Sequence, residues 1–209
     1  MKVVAISDTH NKHHLLHLPE GDLLLHAGDV SSRGTEAEVR NFLDWFAEQD
    51  FEYKVFIAGN HDYFFERSPE SFITEIIPNN VIYLNDSGIE INGINIWGSP
   101  VQPWFFDWAF NRQRGPDIDK HWQLIPNDTD ILITHGPAYG ILDRTVRGEF
   151  VGCEDLLKKI QQIKPKYHIA GHIHEAHGLE RHGQTTFINA SVLNFKYKMA
   201  NEAVVFEIS

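Results

Sequence analysis

The chain has 209 residues and a formal net charge of -11 at pH 7. An acidic surface repels phosphate backbones, so no extended nucleic acid is expected as a partner, although bound divalent cations would reverse the field locally and admit a small anionic substrate. Hydrophobic residues make up 42% and charged residues 22%, which excludes global disorder. At this length we expect one domain over residues 1–209.

The location of the protein is predicted from its cysteine content and its apolar runs. Cys153 is the only cysteine, so no internal disulfide can form. The apolar run at residues 3–6 is too short for a signal-peptide core, and no later run reaches membrane-spanning length. We therefore expect a cytoplasmic protein without a membrane partner.

Short apolar runs rich in β-branched residues predict five buried strands, each followed by a polar or glycine-containing turn. They lie at residues 3–6, 23–26, 55–58, 131–134 and 167–170. Shorter strands are expected within residues 81–97 and 185–208, with a hairpin turn at Asn92-Gly93.

Helical spacing of apolar residues predicts two amphipathic helices. The first covers residues 35–49, where Thr35 and Glu38 form a capping-box pattern. The second covers residues 153–163 and ends before Pro165. Alternating strands and helices with some antiparallel pairing predict an α/β fold of two packed mixed β-sheets flanked by helices.

Metal-binding side chains stand just past the end of each of the five main strands. The motifs are Asp8-Thr9-His10, Gly28-Asp29, Gly59-Asn60-His61-Asp62, Thr134-His135-Gly136 and Gly171-His172-Ile173-His174. One such motif alone would be read as a turn or a cap, but five at the strand ends, where open α/β sheets bind ligands, predict one site. Oxygen and nitrogen ligands without thiolate favour manganese, iron or zinc in an open site.

The spacing of two motifs indicates how they would hold an ion. Asp8 and His10 are two residues apart, so they project to one face of an extended segment, and His172 and His174 repeat this spacing. The other eight histidines have no comparable setting and are interpreted as ordinary surface or core residues. They are His13, His14, His17, His26, His121, His168, His177 and His182.

The five motifs resemble, in order, those of the calcineurin-like metallophosphoesterases. Three further runs, at residues 108–111, 134–137 and 187–191, resemble the small metallophosphoesterase-domain-containing branch related to cyclic-nucleotide phosphodiesterases. The resemblance implies a four-layer α/β/β/α sandwich. One departure is Ser32, which stands where related protein phosphatases carry an aspartate, and it argues against that branch.

The resemblance also implies the roles of the motif residues around two metal ions, taken to be manganese, iron or zinc. Asp8, His10 and His174 would bind one ion, Asn60, His135 and His172 the other, and Asp29 would bridge them. An anionic bridge offsets the repulsion of two close ions, and a water bound by both becomes a hydroxide nucleophile. His61 would face the substrate as a catalytic residue, with Asp62 either orienting it or capping a helix.

The implied activity is that of a dinuclear phosphodiesterase acting on a small phosphoester such as a cyclic nucleotide. A phosphomonoesterase and a non-catalytic protein-binding scaffold of the same fold are the alternatives. The aromatic run from Trp104 to Phe110 would stack a nucleobase or form a hydrophobic lid. Arg33 and Arg144 would pair with a phosphate or make surface ion pairs.

Overall fold

The computed structural model describes all 209 residues of the chain. The strands are β1 (Lys2–Ile6), β2 (Leu23–Ala27), β3 (Tyr53–Ile57), β4 (Ile82–Tyr83), β5 (Ser87–Ile91), β6 (Ile94–Ser99), β7 (Gln102–Pro103), β8 (Asn111–Arg112), β9 (Ile131–Thr134), β10 (Tyr167–Ala170), β11 (Gly178–His182), β12 (Thr185–Asn189) and β13 (Val204–Glu207). The helices are α1 (Glu36–Glu48), α2 (Tyr63–Arg67), α3 (Glu70–Ile76), α4 (Pro116–Trp122) and α5 (Glu154–Ile163). None of the helices combines the length and the apolar character needed to cross a bilayer.

Two mixed sheets carry the fold. The first has the strand order β13-β1-β2-β3-β4, in which only β13 is antiparallel to its neighbour. The second has the order β11-β12-β10-β9-β6-β5, with a parallel centre and antiparallel strands at both edges. The parallel strands bring the carboxyl ends of β1, β2 and β3 to one edge of their sheet, and those of β9 and β10 to one edge of the other.

The sheets pack face to face and the helices cover their outer faces. Alternate residues of each strand point into the layer between the sheets, where Leu25 and Ile57 belong to the same buried cluster as Ile133 and Ile169. On the outside of the first sheet, α1 packs its apolar stripe against Phe56. On the outside of the second, α4 and α5 pack over β9 and β12. The expected four-layer α/β/β/α sandwich is confirmed.

The predicted elements agree with the structure where their patterns are long. The five main strands are present, and α1 has the expected capping box between Thr35 and Glu38. The hairpin turn at Asn92-Gly93 joins β5 to β6. The sequence pattern does not predict α2, α3 and α4, because helices of five to seven residues are too short to show a helical period.

Candidate metal centre

The loops after β1, β2, β3, β9 and β10 converge where the two sheets meet, and the side chains that the sequence predicts to bind metal lie on these loops. Four of these residues have a positive φ: Asp8 (56°), His10 (42°), Asp29 (57°) and His172 (66°). Such angles are strained for residues with a Cβ and persist only where the surroundings enforce them. Here the tight turns aim the side chains of separate strands at a common point.

The first group of ligands consists of Asp8, His10 and His174, all of which are buried. His174 Nε2 lies 3.4 Å from Asp8 Oδ1 and 3.3 Å from His10 Nε2. His172 N–H donates to the Asp8 carboxylate, which ties the first sheet to the second at this point. One strand end from each sheet therefore contributes to this group.

The second group consists of Asn60, His135 and His172. Asn60 Oδ1 lies 2.9 Å from His135 Nε2 and 2.8 Å from His172 Nδ1. These residues follow β3, β9 and β10 respectively, so this group also takes ligands from both sheets.

Asp29 lies between the two groups. Its Oδ2 is 3.5 Å from His10 Nε2 in the first group and 3.4 Å from His135 Nε2 in the second. Its Oδ1 accepts a hydrogen bond of 2.8 Å from His61 N–H. A carboxylate so placed reaches both groups.

Backbone carbonyls orient two of the imidazoles. His135 Nδ1 donates to Ala27 O at 2.9 Å, and His174 Nδ1 donates to Asn194 O at 3.1 Å. A protonated Nδ1 leaves the Nε2 lone pair free, and in both residues Nε2 points into the centre. These are the tautomers that bind a metal ion through Nε2.

The centre holds buried carboxylates that no lysine or arginine pairs with. Burial opposes the charge of Asp29, yet His135 and His61 hold the pKa of Asp29 well below its usual range. Burial likewise disfavours protonation of His135, but the charge of Asp29 outweighs it and raises the pKa of His135 to about 9. Burial lowers the pKa of His10 to about 4, so that imidazole is neutral. The carboxylates thus need positive charge from within the centre.

A divalent ion in each group fits this donor set. Nitrogen and oxygen atoms 2.8 to 3.5 Å apart have the spacing of neighbouring ligands around an ion with bonds of about 2.1 Å. His10 Nδ1 is buried without a hydrogen-bond partner. The chain also makes room for the carboxylates, because a Cβ on Gly59 would overlap Asp29 and a Cβ on Gly171 would overlap Asp8.

His61 lies at the edge of the centre and faces an open cavity. Its Nδ1 donates to Ser32 O at 2.8 Å, which leaves Nε2 without a protein partner. The ring packs against Trp108 on one side, with centroids 4.3 Å apart, and meets His10 edge-on at 4.6 Å. The structure therefore gives His61 one orientation, with a free nitrogen beside the ligand groups.

The cavity has a volume of about 330 Å³. Its floor includes Asp29, Asn60, His61, His172 and His174. Its walls include Trp104, Phe105, Trp108, Arg114 and Tyr197. Arg114 is the only lysine or arginine among the lining residues, and its terminal nitrogens donate to Gly152 O and Val151 O.

Comparison with known proteins identifies the family. The model of the calcineurin-like phosphoesterase family matches residues 1–176. The chain belongs to the calcineurin-like phosphoesterases. The family and the donor set together make it a metal-dependent phosphoesterase, that is, a hydrolase of phosphoesters.

Individual relatives and a solved structure agree with this membership. The chain is 38% identical to the human metallophosphoesterase domain-containing protein 1 over 99% of the chain and 71% of the relative. It is 29% identical to a probable cyclic nucleotide phosphodiesterase of Synechococcus sp. over 80% of the chain and 63% of that protein. The crystal structure of phosphopantetheinyl hydrolase from Mycobacterium tuberculosis superposes with a TM-score of 0.63 at 16% identity, covering 94% and 90% of the two chains, which shows the shared fold.

Asp62 has neither of the two roles predicted from the sequence, the orientation of His61 or the capping of a helix. It is fully buried, and its carboxylate accepts hydrogen bonds from the backbone N–H groups of Val30, Ser31 and Gly59 and from the Ser31 hydroxyl. It makes no hydrogen bond to the His61 ring and no side-chain cap on α2. Asp62 therefore fastens the loops after β2 and β3 together, and the Ser32 carbonyl orients His61 instead.

Neither of the two arginines named from the sequence lines the cavity. Arg33 is exposed near the start of α1, where its backbone N–H donates to Glu38. Arg144 lines a separate depression and lies over the Phe150 ring. Trp104, by contrast, lines the cavity. The sequence does not predict that Arg114 and Tyr197 line the cavity, because neither residue has a recognisable spacing relative to the motifs.

Two histidines interpreted as ordinary residues support the ligand loops. His26 Nε2 lies 2.9 Å from Thr9 Oγ1, and its Nδ1 accepts from Gly28 N–H, so it links two ligand motifs. His168 Nε2 lies 2.8 Å from Thr134 Oγ1, beside His135. Both histidines are buried in strands that lead into a motif, and this position in an otherwise apolar run was the available signal.

Proposed function

We propose that the chain is a dinuclear metal-dependent phosphodiesterase that hydrolyses small phosphodiesters such as cyclic nucleotides. The observation that carries the proposal is the placement of Asp29 between two groups of ligands, under a cavity that His61 also faces. Asp8, His10 and His174 would hold one ion and Asn60, His135 and His172 the other. Manganese, iron and zinc all suit these ligands.

Ions held in the two groups would polarise the phosphoryl oxygens and activate water for in-line attack. The chain contributes orientation and proton transfer. His61 Nε2 is the free nitrogen in the cavity, and in the imidazolium form, with a proton on each ring nitrogen, it would donate its Nε2 proton to the leaving oxygen and become neutral. The hydrogen bond from His61 Nδ1 to Ser32 O fixes the ring for this step.

The charges of the cavity favour a diester over a monoester. A phosphomonoester is largely a dianion at neutral pH, whereas a diester carries a single charge. The only arginine or lysine lining the cavity is Arg114, and its terminal nitrogens are already engaged by two backbone carbonyls. Apart from the ions, the protein thus offers the phosphate the charge of one guanidinium, which matches a singly charged diester better than a dianionic monoester. The relative from Synechococcus, described as a probable cyclic nucleotide phosphodiesterase, supports the same choice.

The aromatic walls favour an organic group with a flat ring next to the phosphate. Trp104, Phe105 and Tyr197 all line the cavity. Bases stack on such side chains regardless of their identity. A nucleotide of either purine or pyrimidine type therefore suits the walls.

The proposed place of action is the cytoplasm. The single cysteine, Cys153, forms no disulfide and is compatible with this reducing compartment.

The test compares bis(p-nitrophenyl) phosphate with p-nitrophenyl phosphate as substrates of protein stripped by a chelator and resupplied with manganese. We expect restored turnover with a higher kcat/KM for the diester, followed by hydrolysis of 3′,5′-cyclic AMP. A preference for the monoester would replace the proposal with a phosphomonoesterase. Absence of turnover with manganese, iron and zinc would favour a binding scaffold of the same fold.

A further inference from the structure

The exposed apolar side chains of this protein concentrate at the mouth of the cavity. We define the rim as residues 104–107, 139–151 and 194–199, three loops that each contribute residues to the cavity wall. Eight of the twelve large apolar side chains that are exposed lie in the rim. They are Trp104, Phe105, Phe106, Tyr139, Val146, Phe150, Phe195 and Tyr197. A concentration of exposed apolar side chains of this kind is typical of an interaction site.

The backbone of the rim holds its aromatic rings outward. Phe106 is 64% exposed and has a φ of 52°, and Tyr197 has a φ of 55°. Left-handed angles are unfavourable for bulky residues, so the surrounding loop must enforce them. Asn111 Nδ2 donates to two carbonyls of the first rim loop, and Asn194 Oδ1 accepts from two backbone N–H groups of the third. The loops therefore present exposed rings at a local cost in strain.

The rim is locally basic on an acidic protein. Its exposed cations outnumber its exposed carboxylates four to two. The cations are Arg144, Arg147, Lys196 and Lys198, and the carboxylates are Asp107 and Glu149. The remaining carboxylate, Asp143, is buried and accepts from backbone N–H groups. With Asp143 included, the rim has a formal charge of +1, whereas the whole chain has a net charge of -11, so the rim is basic relative to the rest of the protein.

Cations and rings of the rim lie side by side. The Arg144 guanidinium is 5.9 Å from the centroid of Phe150, and the Lys196 ammonium is 5.3 Å from that of Phe195. Below the rim, the Glu175 carboxylate is turned towards the backbone N–H of Val146. The surface thus combines apolar rings that can insert into an apolar phase with charged groups that can stay at the boundary of that phase with water.

We infer that the rim docks on the surface of an anionic lipid bilayer. Aromatic side chains accumulate at the headgroup level of membranes, and arginine or lysine side chains beside them are attracted by anionic lipids. A second copy of the chain fits less well, because a symmetric contact would place the cations of one rim against those of the other. The inference goes beyond the proposed function, and it revises the expectation of no membrane partner, which considered only spanning segments.

Co-sedimentation with vesicles tests the docking directly, without any turnover. The probes are vesicles of phosphatidylcholine alone and vesicles that also contain 30% phosphatidylserine, each at low and high salt. We expect at least about tenfold tighter binding to the vesicles with phosphatidylserine, weakened by salt because exposed charges are screened. Equal or absent binding to the two kinds of vesicle would overturn the inference.

A variant of the outermost rim residues shows whether the rim is the docking surface. Phe106, Val146 and Phe195 do not line the cavity, so the triple change to serine should preserve hydrolysis of a soluble diester and the far-UV circular dichroism. We expect it to lower vesicle affinity at least about tenfold. The matched control changes Leu124 and Leu179, which are exposed elsewhere, to serine and should bind as the wild type does.

Two results with these variants would overturn the inference. One is vesicle binding that the triple rim variant leaves unchanged or that the control variant loses equally. The other is a wild-type protein that does not bind vesicles but forms a dimer in sedimentation velocity, with the dimer lost in the rim variant. The partner that docks on the rim would then be a second copy of the chain. The diester assay is separate, so failure of the docking and failure of the proposed function are distinguishable.

Discussion

The imidazole of His61 packs against the indole of Trp108, with ring centroids 4.3 Å apart and the planes inclined by 37°. Behind the indole lies the ring of Tyr63, whose hydroxyl donates to Asp107 O. The loop that carries Trp108 is also tied to the His61 segment, because Ala109 N–H donates to Asn60 O. Trp108 thus holds one face of the His61 ring while the Ser32 carbonyl holds its Nδ1.

The first prediction concerns this contact. Trp108→Leu should lower kcat by about tenfold, because a misplaced catalytic group loses part of its positional advantage. Trp108→Phe keeps a ring face and should retain most of the rate. In a His61→Ala background, Trp108→Leu should lower kcat no further, which steady-state kinetics on the four proteins will measure. Additive losses would show that Trp108 does not act through His61.

The second prediction concerns His61 itself. His61→Ala should reduce kcat by about 10² to 10⁴, the usual contribution of a positioned acid or base. Metal content should stay at the wild-type level, because the His61 side chain belongs to neither proposed ligand group. Diester kinetics together with inductively coupled plasma mass spectrometry measure both. Normal turnover in the variant would remove His61 from the mechanism.

The position of this centre was predictable from the sequence because each motif follows an apolar run, and parallel strands bring such ends to one edge. The hydrogen-bond partners of individual side chains could not be predicted from the sequence. Asp62 was expected to serve His61 or cap a helix, yet it binds backbone N–H groups of the preceding ligand loop. Arg114, and not Arg33 or Arg144, lines the cavity, because the folding of long loops over the sheets decides which arginine reaches it.

The third prediction concerns the bridge. Asp29→Asn removes the shared negative charge that offsets the repulsion of two close ions, so both ions and the activity should be lost together. Mass spectrometry after dialysis against metal-free buffer measures the stoichiometry. Asp44→Asn, an exposed change on α1, is the control and should keep two ions. Loss of only one ion from the Asp29 variant would contradict the bridging position.

The fourth prediction concerns acid stability. Burial lowers the pKa of His168 to about 3, far below the value of about 6.5 expected in the unfolded chain. The unfolded state therefore binds a proton at this histidine that the folded state does not bind. As a result, the free energy of unfolding decreases as the pH falls from 6.5 towards 3. His168→Gln keeps a donor for Thr134 Oγ1 without this titration.

Urea unfolding of the two metal-free proteins at several pH values measures this effect. Below pH 6.5 the free energy of unfolding should fall more steeply in the wild type than in His168→Gln, by up to about 1.4 kcal/mol per pH unit. The difference should be constant above pH 7.5. Parallel curves from pH 7 to pH 4.5 would show that His168 is not held neutral.

The most direct test of the central claim is a titration of chelator-stripped protein with manganese while hydrolysis of bis(p-nitrophenyl) phosphate is followed. We predict no turnover without metal and a rate that rises until two equivalents per chain are bound, since Asp29 serves both groups of ligands. Turnover that persists in the stripped protein, or none at full occupancy by manganese, iron or zinc, would contradict a dinuclear metal-dependent phosphodiesterase.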